Sequence, residues 1–154
     1  MASTISSAPL YVTIKESVML KGREQGDTTT LTISGINEIF KRIVTCAASQ
    51  TTTIATFAND TYETVGAIDI EDSRYIRVTN LDDTNAVELA VVTTGTTYQV
   101  KLDYGQSHIL GSANDLMLAE ADTSPSFGTM ADVKSLQIRP GANAVDIEIF
   151  VASV

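Results

Sequence analysis

A chain of 154 residues carrying 10 Lys and Arg against 19 Asp and Glu, net charge -9, is one domain's worth of polypeptide and can bury a core without metal or disulfide. The acidic balance leaves no basic footprint for gripping phosphate, so neither nucleic acid nor an anionic membrane is expected as a partner. One Cys (Cys46) and one His (His108) exclude an intramolecular disulfide and a His-rich metal site, and 21 Thr, 14 Ile and 13 Val, close to a third of the chain, favour pleated over helical backbone.

Residues 1–9 read as an extended N-terminal arm of small polar residues, with Ile5 as its one β-branched apolar anchor and Pro9 keeping Ala8 out of the helical region. Ala2, Ser3, Thr4, Ile5 and Pro9 are the residues expected to touch another subunit. The start MASTISSAPL has neither the basic segment nor the apolar run of a signal peptide, and no stretch approaches the roughly 18 apolar residues of a membrane helix, so the chain is expected to be soluble and made in a cytoplasm.

From Leu10 the period becomes two. Leu10, Val12 and Ile14 alternate with Tyr11, Thr13 and Lys15, Val18 and Leu20 continue the alternation, a turn over residues 22–27 breaks it, and Leu31 with Ile33 restart it, which predicts a hairpin. Residues 36–48 carry apolar groups at both helical and strand spacing; the β-branched pair Ile43 and Val44 and the Thr-rich run that follows favour a strand, with a turn at residues 48–50. A strand over 51–57 and a weaker one over 62–70 follow, the latter ending in the acidic cluster Asp69, Glu71 and Asp72.

The segments YIRVT (75–79) and VELAV (87–91) flank an Asx-rich turn and predict a second hairpin. Strands over 98–102 and 108–110, a short piece at 116–118, a surface loop over 121–130, and two closing strands around Pro140-Gly141-Ala142-Asn143 complete the chain. About ten short strands with little room for helix predict an all-β, two-layer antiparallel β-sandwich of Greek-key or jelly-roll type, occupying residues 10–154 as a single domain.

No catalytic, metal or cofactor site is expected. Ser107 and His108 are strand neighbours and point to opposite faces, where a nucleophile could not reach its base. Cys46 alternates with Phe40 and Val44 as a small core residue. Asp82 and Asp83 lie in a turn, and neither they nor the cluster at 69–72 has a calcium-loop spacing, so both read as solvated. Tyr75 and Tyr98 fall inside strand patterns and read as core or cross-strand pairs, which leaves Tyr62 and Tyr104 as the rings able to serve a sugar platform.

The stretches RYIRVTNLDDTNAVELAVV and YQVKLDYGQSHIL, the latter with a Leu-x-x-Gly-x-Ser step at Leu102, Gly105 and Ser107, precede a terminal VKSLQIRPGANAVDIEIFVASV. Together they resemble small β-sandwich virion proteins of tailed phages, particularly those of aquatic and cyanobacterial phages, over most of residues 10–154. The resemblance implies a structural, multi-copy role. Within it a capsid decoration (cement) protein is favoured: a homo-oligomer, expected as a trimer, bound to the major capsid protein on the outside of the virion shell. The alternatives are a head-tail adaptor or tail protein, and a carbohydrate- or receptor-binding module.

Overall fold

The computed structural model describes residues 5–62, 64–120 and 124–154, and the described residues form strands, turns and irregular segments with no helix. Thirteen strands are seen among them: β1 (Ala8–Lys15), β2 (Met19–Leu20), β3 (Arg23–Glu24), β4 (Thr28–Ile36), β5 (Glu38–Cys46), β6 (Thr52–Ala58), β7 (Ile68–Asp69), β8 (Ser73–Asn80), β9 (Val87–Thr93), β10 (Thr97–Leu102), β11 (Ser107–Leu110), β12 (Val133–Pro140) and β13 (Val145–Ser153). A five-stranded sheet runs β10-β9-β12-β6-β7 and a four-stranded sheet runs β11-β8-β13-β5.

The connections β5 to β6, β8 to β9, β10 to β11 and β12 to β13 each leave one sheet and enter the other. Eight strands thus interleave as two Greek keys, which is the jelly-roll form of the sandwich. The reason lies in the alternation. Ile76, Val78, Ile147, Ile149 and Val151 point inward from one sheet, Leu89, Val91, Val133, Leu136 and Ile138 from the other, and all are fully buried in one cluster. Burial of this kind stabilises by roughly 25 cal/mol per Å² of apolar surface removed from water.

Residues 75–79 and 87–91 are strands as the pattern predicts, but they do not pair with each other: β8 lies between β11 and β13, and β9 between β10 and β12. A hairpin would put both inward sets on one face of one sheet. Splitting them across the interior lets each cover the other, and the six-residue connection spans the roughly 10 Å between layers. Asn80 holds that crossing. It is fully buried, its Nδ2 donates to the carbonyls of Asn85 (2.8 Å) and Leu102 (3.2 Å), and its Oδ1 accepts from Asp82 N (3.0 Å).

The strand expected over 62–70 reduces to β7, two residues parallel to the end of β6. Gly66, at φ +72°, turns the chain before it. A bulge in β6 opposite Leu136 and Gln137 lets Ile54 and Ala55, adjacent in sequence, both be buried. The described part of the segment between β11 and β12 stays irregular and is tied down through Ser73, whose buried Oγ donates to the Ile70 carbonyl and accepts from Ala113 N, both at 2.9 Å.

Asn80→Ala removes the partners of the Leu102 carbonyl and the Asp82 amide at this crossing. The expected loss is roughly 1–3 kcal/mol of unfolding free energy, read as a lower urea midpoint with an unchanged slope.

Candidate interaction surface

Residues 8–36 stand outside both sheets. β1 and β4 pair antiparallel from Ala8↔Ile36 to Lys15↔Thr28, as the predicted hairpin requires, and form a two-stranded ribbon. β4 runs almost directly into β5, with a bend at Gly35, φ +81°, and at Asn37, whose amide donates to the Ser153 carbonyl (3.0 Å). The bend folds the ribbon back over the outer face of the four-stranded sheet. There Leu10, Val12, Ile33 and Ile36 pack on Tyr75, Phe150, Ala152 and Val154 in a cluster separate from the main core.

Only the first half of the ribbon is covered in this way. Ile14 and Leu31 sit on the same face as Val12, yet each is about half exposed because the ribbon has passed the sheet's edge at β11. Between ribbon and edge lies an apolar groove of about 260 Å³, lined chiefly by Val12, Ile14, Leu31, Tyr75, Ile109 and Leu110.

The far end of the ribbon is a small hairpin of its own. β2 and β3 pair Met19↔Glu24 and Leu20↔Arg23, and the two residues between them, Lys21 (φ +51°) and Gly22 (φ +74°), both take positive φ as a type I′ turn demands. The Glu24 carboxylate is the internal clamp. Its Oε1 accepts from the amides of Val18 (2.9 Å) and Gly26 (2.8 Å), and its Oε2 accepts from Ser17 Oγ (3.3 Å). Those bonds, Val18's amide foremost, hold the carboxyl below its ordinary pKa. Gly26 is needed where it stands, because a Cβ there would lie 1.8 Å from the Glu16 carbonyl oxygen. This braced end displays Val18, Met19 and Leu20 at 53, 65 and 60 % exposure.

The alternation expected to run on through Val18 and Leu20 ends instead at this tip, where Met19 and Leu20 pair with Glu24 and Arg23 and Met19 is as exposed as its neighbours. The available signal was Lys21-Gly22 between two short extended pairs, a two-residue turn that makes 19–24 a hairpin tip. Of the arm residues, Ala2, Ser3 and Thr4 lie outside the described residues, and Ile5 is largely exposed. Ala8 and Pro9 belong to β1 rather than to the arm, and the register shift between Ala8 and Leu10 falls at Pro9, which has no amide to give the ladder.

The remaining singled-out residues take structural positions. His108 Nε2 and Tyr98 Oη lie 3.0 Å apart, joining β11 of one sheet to β10 of the other at one side of the sandwich, and burial holds the imidazole pKa below its usual value. Ser107 points the other way, to Thr79 Oγ1 at 2.7 Å. Cys46 is fully buried in the main core, and desolvation pushes its thiol pKa up. Asp82 Oδ1 is occupied as an Asx-turn acceptor for the amides of Thr84 and Asn85, at 2.8 and 2.6 Å, and Asp69 Oδ1 accepts from Glu71 N at 2.9 Å. Among the described residues, no three His, Cys, Asp or Glu side chains gather where they could hold a metal ion. Tyr75 is buried beneath the ribbon, and Tyr62 and Tyr104 are exposed on separate turns.

Beside the ribbon the outer face of the four-stranded sheet carries a cluster of paired charges, with Ile39 and Ile43 of β5 exposed on the same face. Glu148 accepts from Arg77 Nη2 (2.6 Å) and lies 3.5 Å from Lys41 Nζ, while the Arg77 guanidinium stands 5.8 Å from the Phe150 ring centre. The Arg77 hydrogen bond is the main reason the Glu148 carboxyl sits below the usual carboxylate range. A carboxyl whose pKa falls on folding stabilises the fold above its unfolded value and loses that contribution as pH drops through the folded one. Glu148→Gln is therefore expected to lower the melting temperature at neutral pH, with the difference from the parent shrinking as pH falls below about 4.3; thermal melts across that range check it.

No protein-family model and no curated protein matches the chain. A chain of the solved Bacillus endospore appendages, described as a novel family of disulfide-linked pili, is similar to it with 9% sequence identity and a TM-score of 0.42, the match covering 100% of this chain and 96% of that one.

Proposed function

We propose that this chain is a noncatalytic structural subunit of a phage virion, a capsid decoration protein that binds the outside of the major capsid shell and stabilises its assembled state. One observation supports a binding role above others. The main core is made entirely by residues of the sandwich and its loops, so the ribbon of residues 8–36 is surplus to it and is spent on surface. A part that covers apolar groups incompletely, outside a finished core, has more to gain from a contact than from folding.

The phage assignment is supported by the resemblance of the strand-turn segments and the closing strand. A jelly roll alone does not select a function. In this reading the N-terminal arm, with Ala2, Ser3, Thr4 and Ile5, reaches the shell. Binding to the assembled lattice and not to its free subunits shifts the equilibrium toward the lattice, and many modest contacts add through multivalency. The net charge of -9 opposes nonspecific aggregation and gives no reason to bind packaged DNA.

Imaging of virions carrying a labelled copy, together with the heat resistance of shells lacking the protein, tests the reading. Copies spread over the whole shell and a shell that opens at lower temperature without them are expected. A single ring of copies at the tail vertex would move the protein to the adaptor or tail class, and glycan binding without shell binding would make it a receptor-binding module.

A further inference from the structure

One side of the sandwich closes on a single titratable contact. There β10, the outermost strand of one sheet, meets β11, the outermost strand of the other, and no backbone ladder joins them. Leu102 and Leu110 enter the main core from the two strands, and Val100 packs against it. Polar ties fasten this seam at two levels. At the end of β10 the Asn80 side chain donates to the Leu102 carbonyl (3.2 Å), and the Asn80 amide donates to the Gln106 carbonyl (2.9 Å). Four residues back along β10, Tyr98 Oη meets His108 Nε2 at 3.0 Å, with the rings edge to face and their centres 6.0 Å apart. Among the described residues this is the one side-chain hydrogen bond between β10 and β11.

The surroundings of His108 do not favour a positive charge. Val78 of β8 stands opposite it in the ladder and is fully buried, while Arg77 and Thr79 turn outward to Glu148 and Ser107. From β10, burial raises the Tyr98 phenol pKa and keeps that group neutral, and Val91, opposite Tyr98 on β9, is fully buried. Lys101 and Asp103 hold each other at 2.7 Å with both side chains exposed. His108 enters no ion pair among the described residues, and burial is the cause that lowers its pKa. A half-buried imidazole without a carboxylate partner is most stable uncharged.

We infer that the contact of His108 with Tyr98 is an acid-released latch: a proton on the imidazole draws the ring toward water, the bond to Tyr98 breaks, and β10 loosens from β11 while its other end stays tied at Asn80. β10 has β9 as its one ladder partner among the described residues, so its Tyr98 end can move without opening a second ladder. A free imidazole takes its proton near pH 6.5, roughly, and the folded one at lower pH. The latch is therefore shut above that value and opens as pH falls through the folded one. This goes beyond the capsid reading and is tested on the isolated chain, so either can fail while the other stands.

His108 is the chain's single histidine, so proton NMR of the full-length chain reads its titration directly. A midpoint below about 6.5 is expected. Across it, hydrogen-exchange protection of amides in residues 98–102 and 107–110 should drop roughly fivefold, as loss of one net hydrogen bond does, while amides of the β5 and β13 ladder keep theirs. His108→Gln keeps a hydrogen-bonding side chain but takes up no proton, and should abolish that pH step. Tyr98→Phe keeps the ring and should show the lowered protection already at neutral pH. A midpoint at or above about 6.5, unchanged protection across the titration of the parent chain, or a pH step that persists in His108→Gln would each overturn the latch. Protection lost equally from the β5 and β13 ladder would overturn it too, because the whole sandwich would then be opening.

Discussion

Sharing of one interior by two sheets, with the chain from β5 to β13 crossing between them at every step except β6 to β7 and β9 to β10, is the constraint from which the rest of this molecule follows. Ile76 and Val78 are buried only because Leu89 and Val91, a few residues later in the chain, return on the facing layer. Each crossing must therefore reach across the sandwich instead of folding back. Loops such as 81–86 then need their own hydrogen bonds, which Asn80 and Asp82 supply. Removing the interleaving would strand two apolar faces at once, and no local rearrangement could cover both.

That constraint also explains which features are legible in the linear chain. Period-two alternation in VELAV and in the closing strand is a property of each strand by itself, and the strands appear where the pattern puts them. Pairing is a property of two strands, and YIRVT with its Asx turn looks the same whether the chain returns to its own sheet or to the facing one. Residues 62–70 mislead for a different reason: Val65 and Ile68 are β-branched residues that suggest a strand, but Gly66 at positive φ turns the chain between them. Cys46 and the divergence of Ser107 from His108 are legible because alternation alone decides them.

The interaction surface was harder to read, since its meaning comes from what does not cover it. Leu10, Val12 and Ile14 are equivalent in the pattern, and only the position of the sheet's edge beneath them separates half-buried Val12 from exposed Ile14. Val18, Met19 and Leu20 are ordinary apolar residues in the sequence; the clamp that presents them is a carboxylate accepting two amides from outside its own strand pair. Clamps of this type convert a flexible loop into a fixed shape, which matters for recognition more than for stability.

Gly35 and Asn37 give the chain one mechanical property apart from any binding role. The ribbon reaches the body through a single covalent path at that bend, and its other attachments are side chains resting on Tyr75, Phe150 and Ala152. The sandwich behind the bend is closed by the β5–β13 ladder, nine residue pairs from Val145↔Cys46 to Ser153↔Glu38. A pull on the tip would peel the side-chain contacts away one after another, whereas opening that ladder by sliding its strands requires many hydrogen bonds to break together. The ribbon thus acts as a compliant tether in series with a stiff body, yielding first under load and leaving the jelly roll closed.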